Sequence, residues 1–473
     1  MLFNSLDFAL FLPIVFALYW FVFQKNLKAQ NALVLVASYV FYGWWDWSFL
    51  WLILFSTLVN YLFAIGLGKY EKERTRKLLF WASLAVNLGF LGFFKYYNFF
   101  LDNFVQAFSF LGHPISIKGL DIVLPIGISF YTFQTMSYTM DVYYEKLKPT
   151  KDIIAFGAFV SFFPQLIAGP IERATNLLPQ FHTKRKLDYA KAVEGCQQIL
   201  WGLFKKIVIA DNCAEYANKI FENYHDYNGA TLLLGAIFYA FQIYGDFSGY
   251  SDIAIGTSSL LGFSLMPNFA FPYFSKSIPE FWKRWHISLT TWFAEYLFFP
   301  LAFSLRKYKK YGIILSIVFV FFISGLWHGP SWHYILWGLF HGLLFIPSIL
   351  KTGTNPFNQN KLNAPTLKDV HLVLSTFFII CFTSIFFRAN DVNTAVNFVK
   401  GIITLKPGIT LNIQGVNLYQ FFITVIAIIY LLIQDYHLMK KAKFGLLFLP
   451  ITLFMIFYFG HFKSTASFIY FQF

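Results

Sequence analysis

Long runs of apolar residues, separated by short polar and often basic stretches, recur along the whole chain. A helix that crosses the hydrocarbon core of a bilayer needs about 20 mainly apolar residues. By this criterion the hydropathy pattern predicts about 11 to 14 membrane helices, and so an all-α polytopic membrane protein. The predicted spans are 7–23, 32–45, 48–67, 78–96, 122–143, 153–171, 192–210, 230–246, 311–327, 332–350, 370–388, 416–434 and 443–460, with weaker apolar stretches at 97–111, 250–265 and 286–304.

Composition supports a lipid environment. Charged residues make up only 13% of the 473 residues and hydrophobic residues 57%, whereas a soluble domain carries about 25% charged residues. The formal net charge of +14 would suggest nucleic-acid binding in a soluble protein. Here the basic residues lie mainly in short loops between apolar runs, so the positive-inside rule explains them and no nucleic-acid partner is expected.

Three other features narrow the class of protein. The cysteines Cys196, Cys213 and Cys381 are scattered and form no CxxC motif, which argues against a disulfide framework and a zinc ribbon. No internal repeat is visible, and this weighs against transporters built from duplicated halves. The first apolar run has no basic region before it and no small-residue cleavage site, so it is predicted to be a retained membrane helix.

The basic loops predict the orientation of the chain. Lys25 and Lys28, and the stretches 69–77, 182–186, 306–310 and 440–443, are expected in the cytoplasm. No Lys or Arg precedes residue 25, so the amino terminus is predicted to be extracytoplasmic.

The stretch 286–304 conflicts with this rule. Lys283 and Arg284 precede it and the basic stretch 306–310 follows it, so both ends should be cytoplasmic. A single membrane helix cannot satisfy that arrangement. Because Pro300 also interrupts the stretch, we predict re-entrant or in-plane helices within 267–305, which are tolerated where protein or water shields the backbone.

Polar residues inside apolar stretches are candidate functional residues, because lipid makes them costly. Gln134 lies in one predicted span, and it either bonds a neighbouring helix or faces a substrate. Asp246 and Asp252 lie six residues apart in a glycine-interrupted stretch with Ser248 and Ser251. These two carboxylates either line a polar cavity or cap helices.

Four histidines, His286, His328, His333 and His341, lie in the most aromatic third of the chain. Metal binding is disfavoured, because Gly329 and Pro330 break the helix between two of them and no i,i+4 histidine pair is present. A neutral imidazole can sit in an apolar pocket and accept a proton from a hydroxyl that attacks a thioester. The chain has no GxSxG motif, which favours direct transfer over a serine nucleophile and leaves a covalent relay open.

Several segments, taken in order, resemble the membrane-bound O-acyltransferase family. The resemblance is closest to the bacterial branch that contains the alginate O-acetylation membrane protein and the teichoic acid D-alanine transferase. It covers nearly the whole chain. The segments that carry it are 1–20, FYTFQTMSYTMDVY (130–143), FFPQLIAGPI (162–171), YGDFSGYSDIAIG (244–256), LMPNFAFPYFS (265–275), FWKRWHISLT (281–290), LWHGPSWHYILWGLFHG (326–342) and FFRAND (386–391).

The resemblance implies a fold and a set of site residues. His328 matches the catalytic histidine of the family and His286 its second motif position, whereas His333 and His341 are not carried over as catalytic. The fold implied is a single domain, 1–473, with a catalytic core over about 120–345 and a ring of helices around a thinned centre that contains a tunnel. Candidate tunnel residues are Gln134, Asp246, Ser248, Asn268, Trp285 and Trp327.

The resulting hypothesis is an O-acyltransferase of the bacterial inner membrane that acetylates an extracytoplasmic polysaccharide such as alginate. Acetyl-CoA or another acyl thioester is the expected donor, with no bound cofactor and no metal. A separate extracytoplasmic SGNH-type acyltransferase is the implied partner. The alternatives are transfer of D-alanyl or another acyl group to a cell-wall polymer, a non-enzymatic transporter of glycans or acyl carriers, and a scaffold for polysaccharide export.

Overall fold

The computed structural model describes residues 1–113, 115–353, 357, 362–404, 417–441, 443–445, 447–462 and 468–469. Within these ranges every regular element is helical. The chain divides into two compact units, each defined by the contacts within it. One comprises 1–196 with 254–266, and the other comprises 197–253 with 267–473.

The α-helices of the first unit begin at the amino terminus. They are α1 Leu6–Ala17, α2 Leu27–Gly43, α3 Leu50–Lys69, α4 Glu73–Leu91, α5 Tyr97–Phe110, α6 Ile128–Tyr143, α7 Ile153–Val160 and α8 Ala174–Phe181. Helix α9, Tyr189–Leu203, begins in this unit and ends in the other.

The second unit contains the remaining α-helices. They are α10 Asp211–Glu222, α11 Gly229–Leu260 (whose last turns belong to the first unit), α12 Ile278–Arg284, α13 Ile287–Phe293, α14 Phe299–Ser304, α15 Lys309–His328, α16 Trp332–Leu344, α17 Ile346–Thr352, α18 Val370–Arg388, α19 Val392–Ile403, α20 Leu418–Lys441 and α21 Phe448–Phe459.

Seven stretches in the described part of the chain are long and apolar enough to cross a membrane: 47–69, 73–110, 229–260, 306–328, 332–352, 367–388 and 418–440. Two shorter apolar helical stretches, 6–22 and 448–459, accompany them. The prediction of an all-helical, multi-pass membrane protein is thereby confirmed. The ring of helices, the thinned centre and the single domain with its core at 120–345 stay predictions.

Backbone breaks explain why fewer long spans form than the hydropathy pattern predicts. In the predicted span 122–143, helix α6 begins only after Gly127, whose φ of 78° is left-handed. In the predicted span 153–171, α7 ends at Val160, and Pro164 follows within four residues. Hydropathy averages over a window and does not register single residues that end a helix.

A network of polar side chains joins α3, α4 and α6 in the first unit. The amides of Asn60 and Asn87 exchange hydrogen bonds of 3.1 and 2.8 Å. Thr135 of α6 donates to Asn87 at 3.2 Å, and Thr139 donates to Asn60 at 3.3 Å. Interhelical bonds of this kind hold apolar helices together where lipid provides no hydrophobic driving force.

The segment predicted to hold re-entrant or in-plane helices is broken into short pieces. It contains a 3₁₀ turn, Pro272–Phe274, the helices α12, α13 and α14, and a π-helical turn, Ala294–Phe298. None of these pieces is among the seven candidate spans. The broken character is therefore as predicted, and its depth in the membrane stays a prediction.

Glycines allow α15 and α16 of the second unit to approach closely. A Cβ atom on Gly338 would lie 2.2 Å from the carbonyl oxygen of Phe321, and one on Gly325 would lie 2.3 Å from that of Tyr334. Gly338 and Gly342 form a GxxxG spacing, the pattern by which small residues let two membrane helices touch. His341 lies inside this motif, so the contact fixes its position.

We expect Gly338→Ala to destabilise the protein by about 1–3 kcal/mol, because the added methyl group must displace the backbone of α15. Thermal unfolding in detergent, followed by tryptophan fluorescence, measures the change. Gly89→Ala is the matched control, since a Cβ there meets no described atom within 4 Å and alanine favours a helix. Equal melting temperatures for Gly338→Ala and the wild-type protein would contradict the close packing.

Candidate active site

A cavity of about 30 Å³ lies in the second unit, among aromatic side chains. Two of the four clustered histidines, His328 and His341, line it. The other lining residues are Ile243, Tyr273, Phe281, Trp282, Trp285, Trp337, Ile380, Ser384 and Phe387.

His328 is the last residue of α15, and Gly329 follows with extended backbone angles, φ −170° and ψ 154°. The imidazole is 3% exposed. Its centroid lies 5.0 Å from those of Trp327 and Trp337 and 5.2 Å from that of Phe387, all edge to face. The ring therefore lies at a helix end, in the wall of the cavity.

His286 occupies the break between α12 and α13, with a left-handed φ of 45°. Strained backbone at a non-glycine residue is often found at functional sites. Its Nδ1 lies 3.1 Å from Oδ1 of Asn268, and that oxygen also accepts from Ser288 Oγ at 2.9 Å. The backbone N–H of Ser288, which can only donate, lies 3.4 Å from the same oxygen and fixes the orientation of the amide. The Nδ2 of Asn268 donates to Ser251 Oγ at 3.1 Å.

These contacts define the tautomer of His286. The Oδ1 atom of Asn268 can only accept, so Nδ1 of His286 carries the proton and Nε2 has the lone pair. Burial lowers the pKa of this imidazole to about 3, because a charged ring is poorly solvated there. His286 is thus a neutral hydrogen-bond acceptor at Nε2.

Trp327 lies beside both predicted catalytic histidines. Its ring centroid is 5.0 Å from His328 and 6.2 Å from His286. The two histidines, 42 positions apart in the sequence, therefore both lie beside one indole ring. Trp285 lines the cavity, and its ring stacks on Phe281 at 5.4 Å.

The remaining candidate tunnel residues lie in different surroundings. Gln134 belongs to the first unit, where its Nε2 donates to the Phe159 carbonyl at 2.9 Å. This is the helix-to-helix bond that the sequence left open as one alternative. Ser248 is buried on α11, and its hydroxyl has no hydrogen-bond partner among the described residues. Their tunnel roles stay predictions.

Asp246 forms a buried ion cluster. Lys206 Nζ lies 2.7 Å from Asp246 and 2.9 Å from Asp211, with all three side chains less than 5% exposed. The backbone N–H of Ile469 donates to the other Asp246 oxygen at 2.6 Å. Asp246 therefore lies in the middle of α11, and its carboxylate is bound by a lysine and a backbone N–H.

Asp252 forms a similar ion pair with Lys205, the residue before Lys206. Lys205 Nζ lies 2.8 Å from Asp252, and Gln198 donates to the same carboxylate at 3.2 Å. Both lysines lie in a π-helical stretch, Phe204–Ala210, a geometry that often occurs at functional sites. Sequence reasoning missed these partners, although two lysines inside an apolar run are a signal that could have indicated them.

His333 and His341 differ in their surroundings. His333 Nδ1 donates to the Phe386 carbonyl at 3.0 Å, and His333 is not among the residues that line the cavity. His341 lies in the cavity wall, so the structure adds it to the site that the sequence assigned to His328 and His286. Among the described residues, no three His, Cys, Asp or Glu side chains lie close enough to hold a metal ion.

Comparisons with known proteins show which family the sequence resembles. The sequence profile of MBOAT, the membrane-bound O-acyltransferase family, matches residues 142–387, which include all three site histidines. The chain is 40% identical to the probable alginate O-acetylase AlgI of Pseudomonas putida over 391 residues, which are 82% of this chain and 76% of that protein.

Two further relatives carry different acceptors in their names. The peptidoglycan O-acetyltransferase of Helicobacter pylori is 34% identical over 425 residues, covering 84% of this chain and 78% of that protein. The teichoic acid D-alanyltransferase of Bacillus subtilis is 30% identical over 256 residues, covering 50% of this chain and 62% of that protein.

The ion cluster generates a prediction. Lys206→Met leaves the Asp211 and Asp246 carboxylates buried without their shared cation, so we expect a loss of about 3–5 kcal/mol in stability. The double variant Lys206→Met, Asp246→Asn should lose less than the sum of the two single variants. Thermal unfolding measures both, with the exposed Lys307→Met as control. If Asp246→Asn abolishes acyl transfer without lowering stability, Asp246 belongs to the tunnel instead.

Proposed function

Because the chain belongs to the membrane-bound O-acyltransferase family, we propose that it moves an acetyl group from a cytoplasmic thioester to an extracytoplasmic polysaccharide. The observation that carries the proposal is the meeting of His328 and His286 at Trp327, beside an aromatic cavity. Relatives named as alginate and peptidoglycan O-acetylating enzymes support a polysaccharide acceptor, with alginate as the first candidate.

The size of the cavity supports a short acyl group. One water-sized probe needs about 10–15 Å³, so a cavity of about 30 Å³ suits the few heavy atoms of an acetyl group. Among the described lining residues there is no carboxylate that could pair with the ammonium group of D-alanine. This favours acetyl over D-alanyl transfer.

His328 acts as the general base in the proposed reaction. It accepts the proton of the acceptor hydroxyl while that oxygen forms a bond to the thioester carbon and the C–S bond breaks. The proton then passes to the departing thiolate, so transfer needs no additional reactant. His286 assists as a neutral acceptor at Nε2, held by Asn268. No resident cofactor takes part, and acetyl-CoA is the proposed donor.

The orientation follows from the charge of the loops. Helix α15 begins at Lys309, beside the basic stretch 306–310, and ends at His328. Its 20 residues extend about 30 Å, so a cytoplasmic basic end places His328 towards the extracytoplasmic face. The amino terminus is extracytoplasmic in this arrangement, and the membrane is the bacterial inner membrane.

An exported acyl group requires an acceptor on the outer side. We assign that role to a separate SGNH-type acyltransferase that passes the group to the polymer, or to the polymer itself. Transport without chemistry is the rival function, and it would leave the site histidines without a role.

His328→Ala tests the function. A general base contributes about 10²–10⁴-fold to a rate, so we expect the variant to lose CoA release from acetyl-CoA, and labelled acetyl transfer to alginate oligosaccharides, by at least about 100-fold. The purified proteins are compared in proteoliposomes, and thermal unfolding confirms the fold.

His371→Gln is the matched control, since His371 is exposed at the start of α18 and its loss should leave the rate unchanged. Full activity in His328→Ala would reject the assignment of the base. If the wild-type protein releases no CoA but transports labelled acyl groups, it is a transporter.

A further inference from the structure

His341 lies on α16 and is 1% exposed. Its Nδ1 lies 3.2 Å from Nε1 of the Trp282 indole. The two rings meet edge to face, with centroids 5.0 Å apart and an interplanar angle of 87°. Both residues line the cavity that contains His328.

This contact determines the protonation state of His341. An indole Nε1–H can only donate, so Nδ1 of His341 must accept. An imidazolium would bring two N–H groups against each other. The ring is therefore neutral with its proton on Nε2, and Nε2–H is the remaining polar group that His341 can offer to the cavity.

The distance between His341 and His328 is limited by a neighbour that both contact, Trp337. The centroids of His328 and His341 each lie 5.0 Å from that of Trp337, so the two imidazoles are no more than about 10 Å apart. Both rings line the same cavity, so a substrate bound there lies next to both. The Tyr273 hydroxyl of the same cavity donates to the Ala240 carbonyl. Among the described lining residues, the other side-chain donors besides Trp282 and His328 are His341, Ser384 and the indoles of Trp285 and Trp337, and of these His341 is the one whose tautomer a neighbour fixes.

We infer that His341 is a further catalytic residue, whose Nε2–H donates a hydrogen bond to the acyl carbonyl oxygen. When the acceptor hydroxyl attacks, the carbonyl π electrons move onto that oxygen, and a fixed donor in a site that excludes water stabilises the resulting charge. Trp282 is a positioning residue, because its indole holds the required tautomer. The inference rests on the proposed acyltransferase function and deepens it.

In this reaction His328 and His341 have complementary roles, one as proton acceptor and the other as hydrogen-bond donor. Transfer needs a base with a free lone pair near the hydroxyl, and a donor near the carbonyl oxygen. Two neutral rings meet both needs without burying a charge among aromatic side chains. A lysine or arginine donor in the same wall would bring a charge that needs a partner.

Two isosteric variants distinguish the roles of the two ring nitrogens of His341. The amide of His341→Asn reaches the position of Nδ1 and can still accept from Trp282, but it removes the donor at Nε2. The amide of His341→Gln reaches the position of Nε2 and keeps a donor there. Removing one oxyanion donor lowers kcat by about 10²–10³-fold, so we expect that loss for Asn and at least partial recovery for Gln, with the KM for acetyl-CoA little changed.

The measurement is CoA release from acetyl-CoA by each purified variant in proteoliposomes, with His371→Gln as the unaffected control. If His341→Asn keeps full kcat while Ser384→Ala loses it, the donor is Ser384 and the inference is overturned. If His328→Ala is inactive and His341→Asn is fully active, only this inference fails. If both are fully active, the proposed function fails as well.

The tautomer of His341 can be measured directly in the wild-type protein. In the wild-type protein labelled with ¹⁵N-histidine, protonated and unprotonated ring nitrogens resonate far apart, and loss of a signal in His341→Gln assigns the residue. We expect Nε2–H in the wild-type protein and a tautomer mixture with reduced kcat in Trp282→Phe. The exposed Trp332→Phe is the control. A wild-type Nδ1–H tautomer would overturn the inference.

Discussion

A polar atom buried among apolar side chains is costly without a partner, because water is not there to replace one. In this protein that constraint also sets the chemistry. Asn268 accepts from Nδ1 of His286, and Trp282 donates to Nδ1 of His341. Because Asn268 accepts and Trp282 donates, the other ring nitrogen, Nε2, is left as an acceptor in His286 and as a donor in His341.

Close helix packing makes these contacts possible. The glycines of α15 and α16 bring the two backbones together. This sets His328, at the end of one helix, against Trp337 on the other, where His341 also contacts Trp337. The break between α12 and α13 then places His286 beside Trp327. A long uninterrupted helix could not present these side chains to each other, so the broken segment and the glycine contact are two parts of one arrangement.

The lysines of the π-helical stretch neutralise nearby carboxylates. Lys205 and Lys206 are neighbours in sequence, and each pairs with its own carboxylate on α11. Breaking such a pair leaves a charge without compensation, which is far more costly than never having had the pair. Asp246, a candidate tunnel residue, and Asp252 are thus both bound to cations, whereas the described residues that line the histidine cavity are apolar or neutral.

The sequence by itself determined the lipid environment, the helical class and the broken character of 267–305, since composition, loop charge and ordered motifs are local properties. It also selected His328 and His286 as the candidate catalytic residues. It did not determine the number of long helices, because single residues such as Gly127 end them. The tertiary structure alone decided that Asp246 meets Lys206, that Gln134 bonds Phe159 and that His341 shares the cavity of His328. Each of these depends on which side chains meet across helices far apart in sequence, and hydropathy, which records only whether a residue is polar, contains no information on its partner.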